Sequence, residues 1–455
     1  MTQETTATIH SELAPASKAT ALPAVDVAQV QADVANYMLN TYKRPAIVFT
    51  HGKGVYLYDS TGRKYLDFLG GIAVNALGYS HRRLVRVIQR EAGRAIHVSN
   101  LFHNSYQGAL AKKLVQWSGM GRVFFTNSGA EAIEGALKLA RAAAQQKAGS
   151  GPKKTRILAL ENSFHGRTFG ALSITYPEKY RAPFAPLLEG VEFVRFNDLD
   201  DLEAKFDDTV CAVVLETVQG EGGIFPVSEA FWQRARQLAE QNGAALIADE
   251  IQSGLGRTGL AFAYQRFSGG ASGAEWLPDI VTIAKPLAGG IPLGAILVRE
   301  KFAQVLSPGM HGTTFGGGPL ACAAALEFLN VIEDEKLLEN VRERGTQLRE
   351  GLQKLARKFK FIREVRGEGL MIGVDLTCDG TAYVEECLKQ GLIINCTHGH
   401  ILRLLPPFNV NAAQVKQFLR IFGKVLKETP RPKVEPVAAS VPDATAGTMA
   451  QAAPR

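Results

Sequence analysis

The run Asp279-Ile280-Val281-Thr282-Ile283-Ala284 ends in Lys285, followed by Pro286-Leu287-Ala288-Gly289-Gly290. Its length and β-branched composition are those of a buried strand. An amine at the carboxyl end of such a strand loses hydration. Its charged form is disfavoured, and it becomes a nucleophile near neutral pH. A lysine that reaches solvent from a strand end would look the same in isolation. Four other strand ends bear on the choice.

The run 244–249 closes in Asp249-Glu250-Ile251-Gln252. A carboxylate just past a buried strand calls for a cationic partner, and a heterocyclic nitrogen that must stay protonated would be one. The run 122–126 leads into Asn127-Ser128-Gly129-Ala130-Glu131. This small, glycine-containing turn offers backbone N–H groups and the positive end of a helix dipole to an anion such as phosphate. It also reads as an ordinary helix start, with Ser128 as N-cap and Glu131 completing a capping box. The run 157–161 opens into Asn162-Ser163-Phe164-His165-Gly166-Arg167-Thr168. Phe164 presents a flat face for a ring, and Arg167 a fork for a carboxylate. The run 211–216 puts Glu216 and Glu221 in the glycine-rich stretch Glu216-Thr217-Val218-Gln219-Gly220-Glu221-Gly222-Gly223. The two could act as acid and base, hold a metal, or simply mark a solvated turn.

These candidates need a common scaffold. Strand-like runs alternate with helix-like ones such as 131–144, whose Ile133, Ala136, Leu137 and Ala140 fall on one face, and 229–242. That alternation predicts an α/β fold with a mostly parallel sheet, in which ligands sit at the carboxyl ends of the strands. Residues 55–59 and 64–67 flank Ser60-Thr61-Gly62-Arg63 and predict a hairpin. Residues 333–359 predict one long charged helix, with strands following near 370–376 and 392–395. The resulting layout is a flexible tail at 1–30, a large domain at 91–330 and a flexible tail at 429–455. A smaller α+β domain is assembled from 31–90 and 331–428.

Composition narrows the classes. Of the 455 residues 46% are hydrophobic and 21% charged, as in ordinary globular proteins. No apolar stretch approaches the roughly 20 residues of a membrane span. Residues 1–30 lack the pattern of a signal or transit peptide, so a cytoplasmic location is expected. The net charge of +7 is carried by dispersed lysines and arginines. Nucleic-acid binding is therefore not expected. The five cysteines form no CxxC pair, which argues against a disulfide framework or a zinc site, and no metal is expected. Gly254-Leu255-Gly256-Arg257-Thr258-Gly259 fits G-x-G-x-x-G and raises a nicotinamide oxidoreductase as a rival reading. Four residues separate its first glycine from Asp249, however, where a dinucleotide fingerprint has a tight turn.

Several ordered motifs between residues 35 and 425 resemble the fold-type I, class III aminotransferases, which use pyridoxal 5′-phosphate (PLP). They are Gly71-Ile72-Ala73-Val74-Asn75, His97-Val98-Ser99-Asn100, Phe164-His165-Gly166-Arg167-Thr168, Glu216 to Gly223, Ala284-Lys285-Pro286 and His311-Gly312-Thr313-Thr314-Phe315. The resemblance implies that Lys285 is the lysine joined to the PLP aldehyde and the later proton shuttle. Asp249 would pair with the pyridine nitrogen, Gln252 lie near the ring hydroxyl, and Phe164 stack on the ring. Ser128, Gly129 and Ala130 would hold the phosphate, with Thr314 reaching it from a second subunit of a homodimer. Arg167 and Thr313 would contact substrate, and Arg403 would take the α-carboxylate of 2-oxoglutarate. Glu221 would cover Arg403 when the amine has no carboxylate beside the reacting carbon. Ile72 stands where the ornithine branch usually has an aromatic. With His165, it points to the branch that transfers the terminal amino group of N-acetylated ornithine. Transaminases of succinylornithine, succinyl-diaminopimelate, 4-aminobutyrate and ornithine are the near alternatives. A non-catalytic protein of the same fold is a further one.

Overall fold

A computed structural model describes residues 25–148, 151, 153–267 and 276–430. Three short strands come first, β1 (Phe49–Lys53), β2 (Tyr56–Asp59) and β3 (Lys64–Asp67). The central strands follow: β4 (Arg122–Thr126), β5 (Arg156–Leu160), β6 (Val191–Val194) and β7 (Val210–Glu216). A two-stranded ribbon, β8 (Val218–Gln219) and β9 (Phe225–Pro226), precedes β10 (Ala245–Asp249), β11 (Ile280–Ile283) and β12 (Gly294–Val298). The last five are β13 (Ile362–Glu368), β14 (Met371–Leu376), β15 (Leu392–Ile393), β16 (Asn395–Thr397) and β17 (Ile401–Leu404).

Seven strands form the central sheet in the order β4-β12-β11-β10-β7-β5-β6. Within it β12 pairs antiparallel with both neighbours, while β11, β10, β7, β5 and β6 are mutually parallel. This is the expected α/β architecture, and both faces are covered. Ile133, Ala136, Leu137 and Ala140 of the helix Gly129–Ala148 are buried against one face, as their spacing predicts. Phe231, Trp232, Ala235 and Leu238 of the helix Glu229–Gln241 cover the other. With both faces closed, strands such as β7 and β10 are buried along their whole length. The sheet fixes which groups meet at its carboxyl edge: Asp249 is level with Glu216 on one side and with Thr282 on the other.

The two ends of the described chain meet. In a second sheet β1-β2-β3 is extended by β15, which pairs parallel with β3. A third sheet, β13-β14-β17-β16, carries Arg403 on β17. The β2–β3 turn is held by Asp59, whose Oδ1 accepts from Thr61 N, Thr61 Oγ1 and Arg63 N, with Gly62 at φ +81°.

Three details depart from the sequence expectations. The long helix expected at 333–359 is one helix, Leu337–Lys358, that starts later than expected: residues 333–334 end a preceding helix, Pro319–Asp334, and the two are broken at Lys336 with φ +51°. Ile332 and Leu337 are both buried; five residues apart, they could not face one core from a continuous helix. The strand expected at 392–395 is two strands in different sheets. A helix, Val27–Tyr37, capped by Asp26 through Gln29 N, begins inside the expected tail. Residues 1–24 and 431–455 lie outside the described residues. Among the described residues no helix is long and apolar enough to cross a membrane, and all five cysteines are free.

At the opposite end of the sheet from Lys285, just before β11, Asp279 is fully buried. Its carboxylate meets Arg236 Nη1 at 2.7 Å and Lys301 Nζ at 2.5 Å, and accepts from Leu246 N at 3.0 Å. Arg236 is itself 2% exposed, so removing Asp279 leaves a buried cation with only the longer 3.3 Å contact to the exposed Glu240. Asp279→Ala is expected to lower the free energy of unfolding by about 3 kcal/mol, read by denaturant titration. A change within about 0.5 kcal/mol, the usual surface value, would contradict this anchoring role.

Candidate active site

A cavity of about 330 Å³ lies at the carboxyl edge of the sheet. Ser128, Gly129, Ala130, Phe164, Asp249, Gln252 and Lys285 all line it, joined by Val74, His165 and Glu216. Sequence positions more than 150 apart therefore meet because the strands that end in them are neighbours.

Lys285 follows β11 in a left-handed conformation, φ +41°, where a residue with a Cβ is strained. Its amine makes no hydrogen bond or ion pair among the described residues. Burial lowers its pKa from the ordinary lysine value. The Asp249, Glu221 and Glu216 carboxylates oppose that shift, and Arg403 reinforces it. The amine is thus biased toward its neutral, nucleophilic form.

Asp249, 4% exposed, ends β10. Its Oδ2 lies 2.7 Å from His165 Nδ1, while Oδ1 accepts from Ile251 N at 3.0 Å and Thr282 Oγ1 at 3.4 Å. The nearest side-chain partner of this acid is thus a histidine. The sequence contained His165 but gave no sign of this pairing across 84 positions. His165 Nε2 is buried without a partner, so the imidazole is held by Asp249 alone.

Glu216 is the second residue whose role the sequence left open. It is buried, and its two oxygens accept from Phe164 N at 2.9 Å and Gly220 N at 2.8 Å. It acts as a tie between the loop that carries Phe164 and the loop that carries Glu221. Burial raises its carboxyl to about 7, the Asp249 charge adds to the rise, and His165 opposes it. Glu250, next to Asp249 in sequence and also raised to about 7 by burial, is occupied by Thr217 Oγ1 and the N–H groups of Ala263 and Tyr264.

At the other end of the cavity, Ser128 Oγ accepts from Glu131 N at 3.2 Å, a helix cap. The reciprocal half of the expected capping box is displaced: Glu131 Oε2 accepts from Asn127 N, not from Ser128 N. The N–H groups of Gly129 and Ala130, in the first turn, have no intrahelical acceptor, and both residues line the cavity. A Cβ on Gly129 would come within 2.9 Å of the Ile251 side chain, so any larger residue there would have to displace Ile251. The arrangement suits a phosphate at the helix start, a flat ring beside Phe164 and a protonated ring nitrogen at Asp249.

The residues expected to meet substrate are distributed differently. Arg403 is fully buried on β17; its Nη1 donates to Glu221 Oε1 at 2.5 Å and to Gln252 Oε1 at 3.3 Å, and its Nε donates to Asn395 Oδ1. Glu221 therefore already covers Arg403, and Gln252 connects both to the cavity. Arg167 is exposed and stacks 3.8 Å over the Tyr180 ring, outside the lining. Thr313 Oγ1 accepts from Asn127 Nδ2 at 3.0 Å. Thr314 is exposed and lines a separate groove with His97, Asn100 and Phe315. One chain therefore does not bring Arg167, Thr313 or Thr314 into the cavity.

The glycine-rich stretch Gly254 to Gly259 is a succession of turns followed by a short 3-10 helix, Ala263–Phe267, and opens no α-helix, which removes the structural context of a dinucleotide site.

A buried sheet ending in an amine, an acid and a helix start defines a PLP-type transferase fold, and comparison with known proteins agrees. Residues 37–426 match the family described as aminotransferase class-III, and the chain belongs to that family. It is 45% identical over 394 residues to an acetylornithine aminotransferase of Caldanaerobacter subterraneus subsp. tengcongensis, covering 86% of this chain and 98% of the relative. Among solved structures it superposes on the acetylornithine aminotransferase of Elizabethkingia anophelis with a TM-score of 0.77 at 30% identity, covering 88% of this chain and 99% of the other. An ornithine aminotransferase of Toxoplasma gondii, described with PLP at partial occupancy in its active site, gives 0.83 at 31% identity, covering 90% and 96%.

The raised Glu216 carboxyl makes a signed prediction. Its folded-state pKa of about 7 lies above the ordinary glutamate value, so its contribution to stability is fully present below about pH 4.5 and is lost as pH rises through 7. Relative to Glu216→Gln, the wild-type protein is expected to be more stable at pH 5 than at pH 8, by about 2–3 kcal/mol, in denaturant unfolding at each pH. A difference independent of pH would show that the group does not titrate in this window.

Proposed function

We propose that this protein is a PLP-dependent aminotransferase that moves the terminal amino group of N2-acetyl-L-ornithine to 2-oxoglutarate. The products are N-acetyl-L-glutamate 5-semialdehyde and L-glutamate. The observation that carries the reading is the cavity lined at once by Lys285, Asp249, Phe164 and the first-turn N–H groups of Gly129 and Ala130.

The residues present fit PLP. Gly129 and Ala130 would hold its phosphate, Phe164 its ring face, Asp249 its ring nitrogen, Gln252 the neighbourhood of its ring hydroxyl, and Lys285 its aldehyde carbon. When bound, PLP supplies a carbonyl for the substrate amine and a cationic ring that accepts electrons. Asp249 favours protonation of a ring nitrogen by opposite charge, and His165 and Thr282 keep its carboxylate from turning away. Lys285 Nζ, biased neutral by burial, can take a proton and return it. Arg403 under Glu221 explains two unlike substrates in one pocket. With Glu221 in place, the arginine is neutralised for an amine that has no carboxylate beside its reacting carbon. With Glu221 withdrawn, the guanidinium fork accepts the α-carboxylate of 2-oxoglutarate. Arg167 would hold the more distant carboxylate.

The reading also requires a homodimer. Thr314 is exposed and away from its own cavity, on a surface where Leu101, Phe102 and Phe315 are 87%, 69% and 66% exposed. Such a patch marks an interaction face, and a second copy seated there would bring Thr314 to the partner's phosphate site.

For the amino donor, Ile72 and His165 favour the acetylated substrate over free ornithine. Coupled assays with N-acetylornithine, ornithine and succinyl-diaminopimelate, each against 2-oxoglutarate, are expected to rank N-acetylornithine first in kcat/KM. A strong preference for ornithine would overturn the assignment. Lys285→Ala is expected to reduce kcat by about 10³-fold or more, the loss of both a nucleophile and a proton carrier. Full activity in that variant would overturn the mechanism.

A further inference from the structure

The G-x-G-x-x-G stretch that binds no dinucleotide contains an anomaly. Arg257, at its centre, is 1% exposed and has no ion-pair partner among the described residues. Burial alone lowers its pKa to about 9. A buried cation without a counter-charge is costly, and interior packing alone would be served by an apolar side chain. Its contacts show what the charge is used for. Nη1 donates to Leu370 O at 3.1 Å and to Pro406 O at 2.5 Å, and the guanidinium lies 4.6 Å over the Phe408 ring. Its own carbonyl accepts from Leu370 N at 3.1 Å.

Leu370 immediately precedes β14, and Pro406 lies two residues past the end of β17. These strands are antiparallel partners, with Gly373 level with Arg403 and Ile372 level with Leu404. One guanidinium thus grips both strands of the pair that carries Arg403. The grip comes from the same turn that presents Gln252 to Arg403 Nη1. The glycines serve this docking. A Cβ on Gly256 would meet Leu338 and Phe408 at 3.0 Å, one on Gly259 would meet Arg342 at 2.5 Å, and one on Gly369 would meet Arg257 O at 2.7 Å.

We infer that Arg257 is a positioning residue for the dicarboxylate half of the reaction, fixing the β14–β17 pair so that Arg403 stands against Gln252 and Glu221. The inference rests on the reading of Arg403 as the carboxylate fork. A misplacement of about 1 Å at such a fork costs on the order of 100-fold, whereas an amine met by the Glu221-covered arginine makes no use of it.

The test compares Arg257→Lys, Arg257→Gln and Arg403→Gln in the PLP-loaded enzyme. Each half-reaction is followed separately, glutarate binding is measured by calorimetry, and the melting temperature is recorded. Arg257→Gln is expected to raise the KM for 2-oxoglutarate and the Kd for glutarate by about tenfold or more. Arg257→Lys, which keeps the charge but loses the planar fork, is expected to raise both by roughly three- to fivefold, with the amine half-reaction within about threefold of wild type in each. Equal losses in both half-reactions that follow the melting temperature, or no loss in either variant, would overturn the positioning role. If Arg257→Gln does not fold, Arg257→Lys decides on the same criteria. Arg403→Gln separates the two claims: unchanged glutarate binding there would remove the carboxylate reading itself. Weakened binding there, with both Arg257 variants normal, would remove only the present inference.

Discussion

The site depends on the register between β10 and β11. Asp249 lies level with Thr282, and the chain reaches Lys285 three residues later. Acid and amine thus stand at the same edge of a sheet buried on both faces. A one-residue slip would turn every side chain of a strand to the opposite face, taking the carboxylate out of the cavity and into a hydrophobic layer. Nearly continuous apolar runs specify such a register weakly by pattern, so polar anchors must help. Asp279 supplies one at the entry to β11, accepting from Leu246 N on β10 while holding Arg236 and Lys301. Thr282 supplies another at the exit by donating to Asp249.

Three buried acids crowd the carboxyl edge, and each is satisfied differently. Asp249 takes an imidazole, a hydroxyl and a backbone N–H; Glu216 takes two backbone N–H groups; Glu250 takes one hydroxyl and two backbone N–H groups. Only Asp249 is paired with a group that can itself be cationic. That difference sets Asp249 apart from the two acids that hold loops. Arg403 is carried by the third sheet and is linked to the cavity edge through contacts that cross between sheets: its bonds to Gln252 and Glu221, and the grip of Arg257 on its strand pair.

Much of this was legible in the sequence, because the α/β pattern is local. Five of the seven central strands came from apolar runs bounded by glycine and polar turns, and their observed ends agree to within a residue or two; β6 and β12 were not anticipated. The positions at the carboxyl ends followed from the general rule for such sheets, so Lys285, Asp249 and the Ser128–Ala130 turn could be singled out before any contact was known. What was not legible is long-range or conformational. The pairing of His165 with Asp249 and the tie from Glu216 to Phe164 and Gly220 depend on which strands are neighbours. The helix break at Lys336 depends on two buried residues needing different faces. Gly254 to Gly259 was a true signal of close backbone approach. The approaching partner is the protein's own second layer, not a dinucleotide.

The central claim is a covalent one, and it can be measured directly. The purified protein is loaded with PLP, reduced with borohydride, digested and analysed by mass spectrometry. The account predicts a pyridoxyl phosphate label on Lys285, with Asp249→Ala weakening retention of the cofactor before reduction. A label on another lysine, or none on Lys285 after loading, would contradict it.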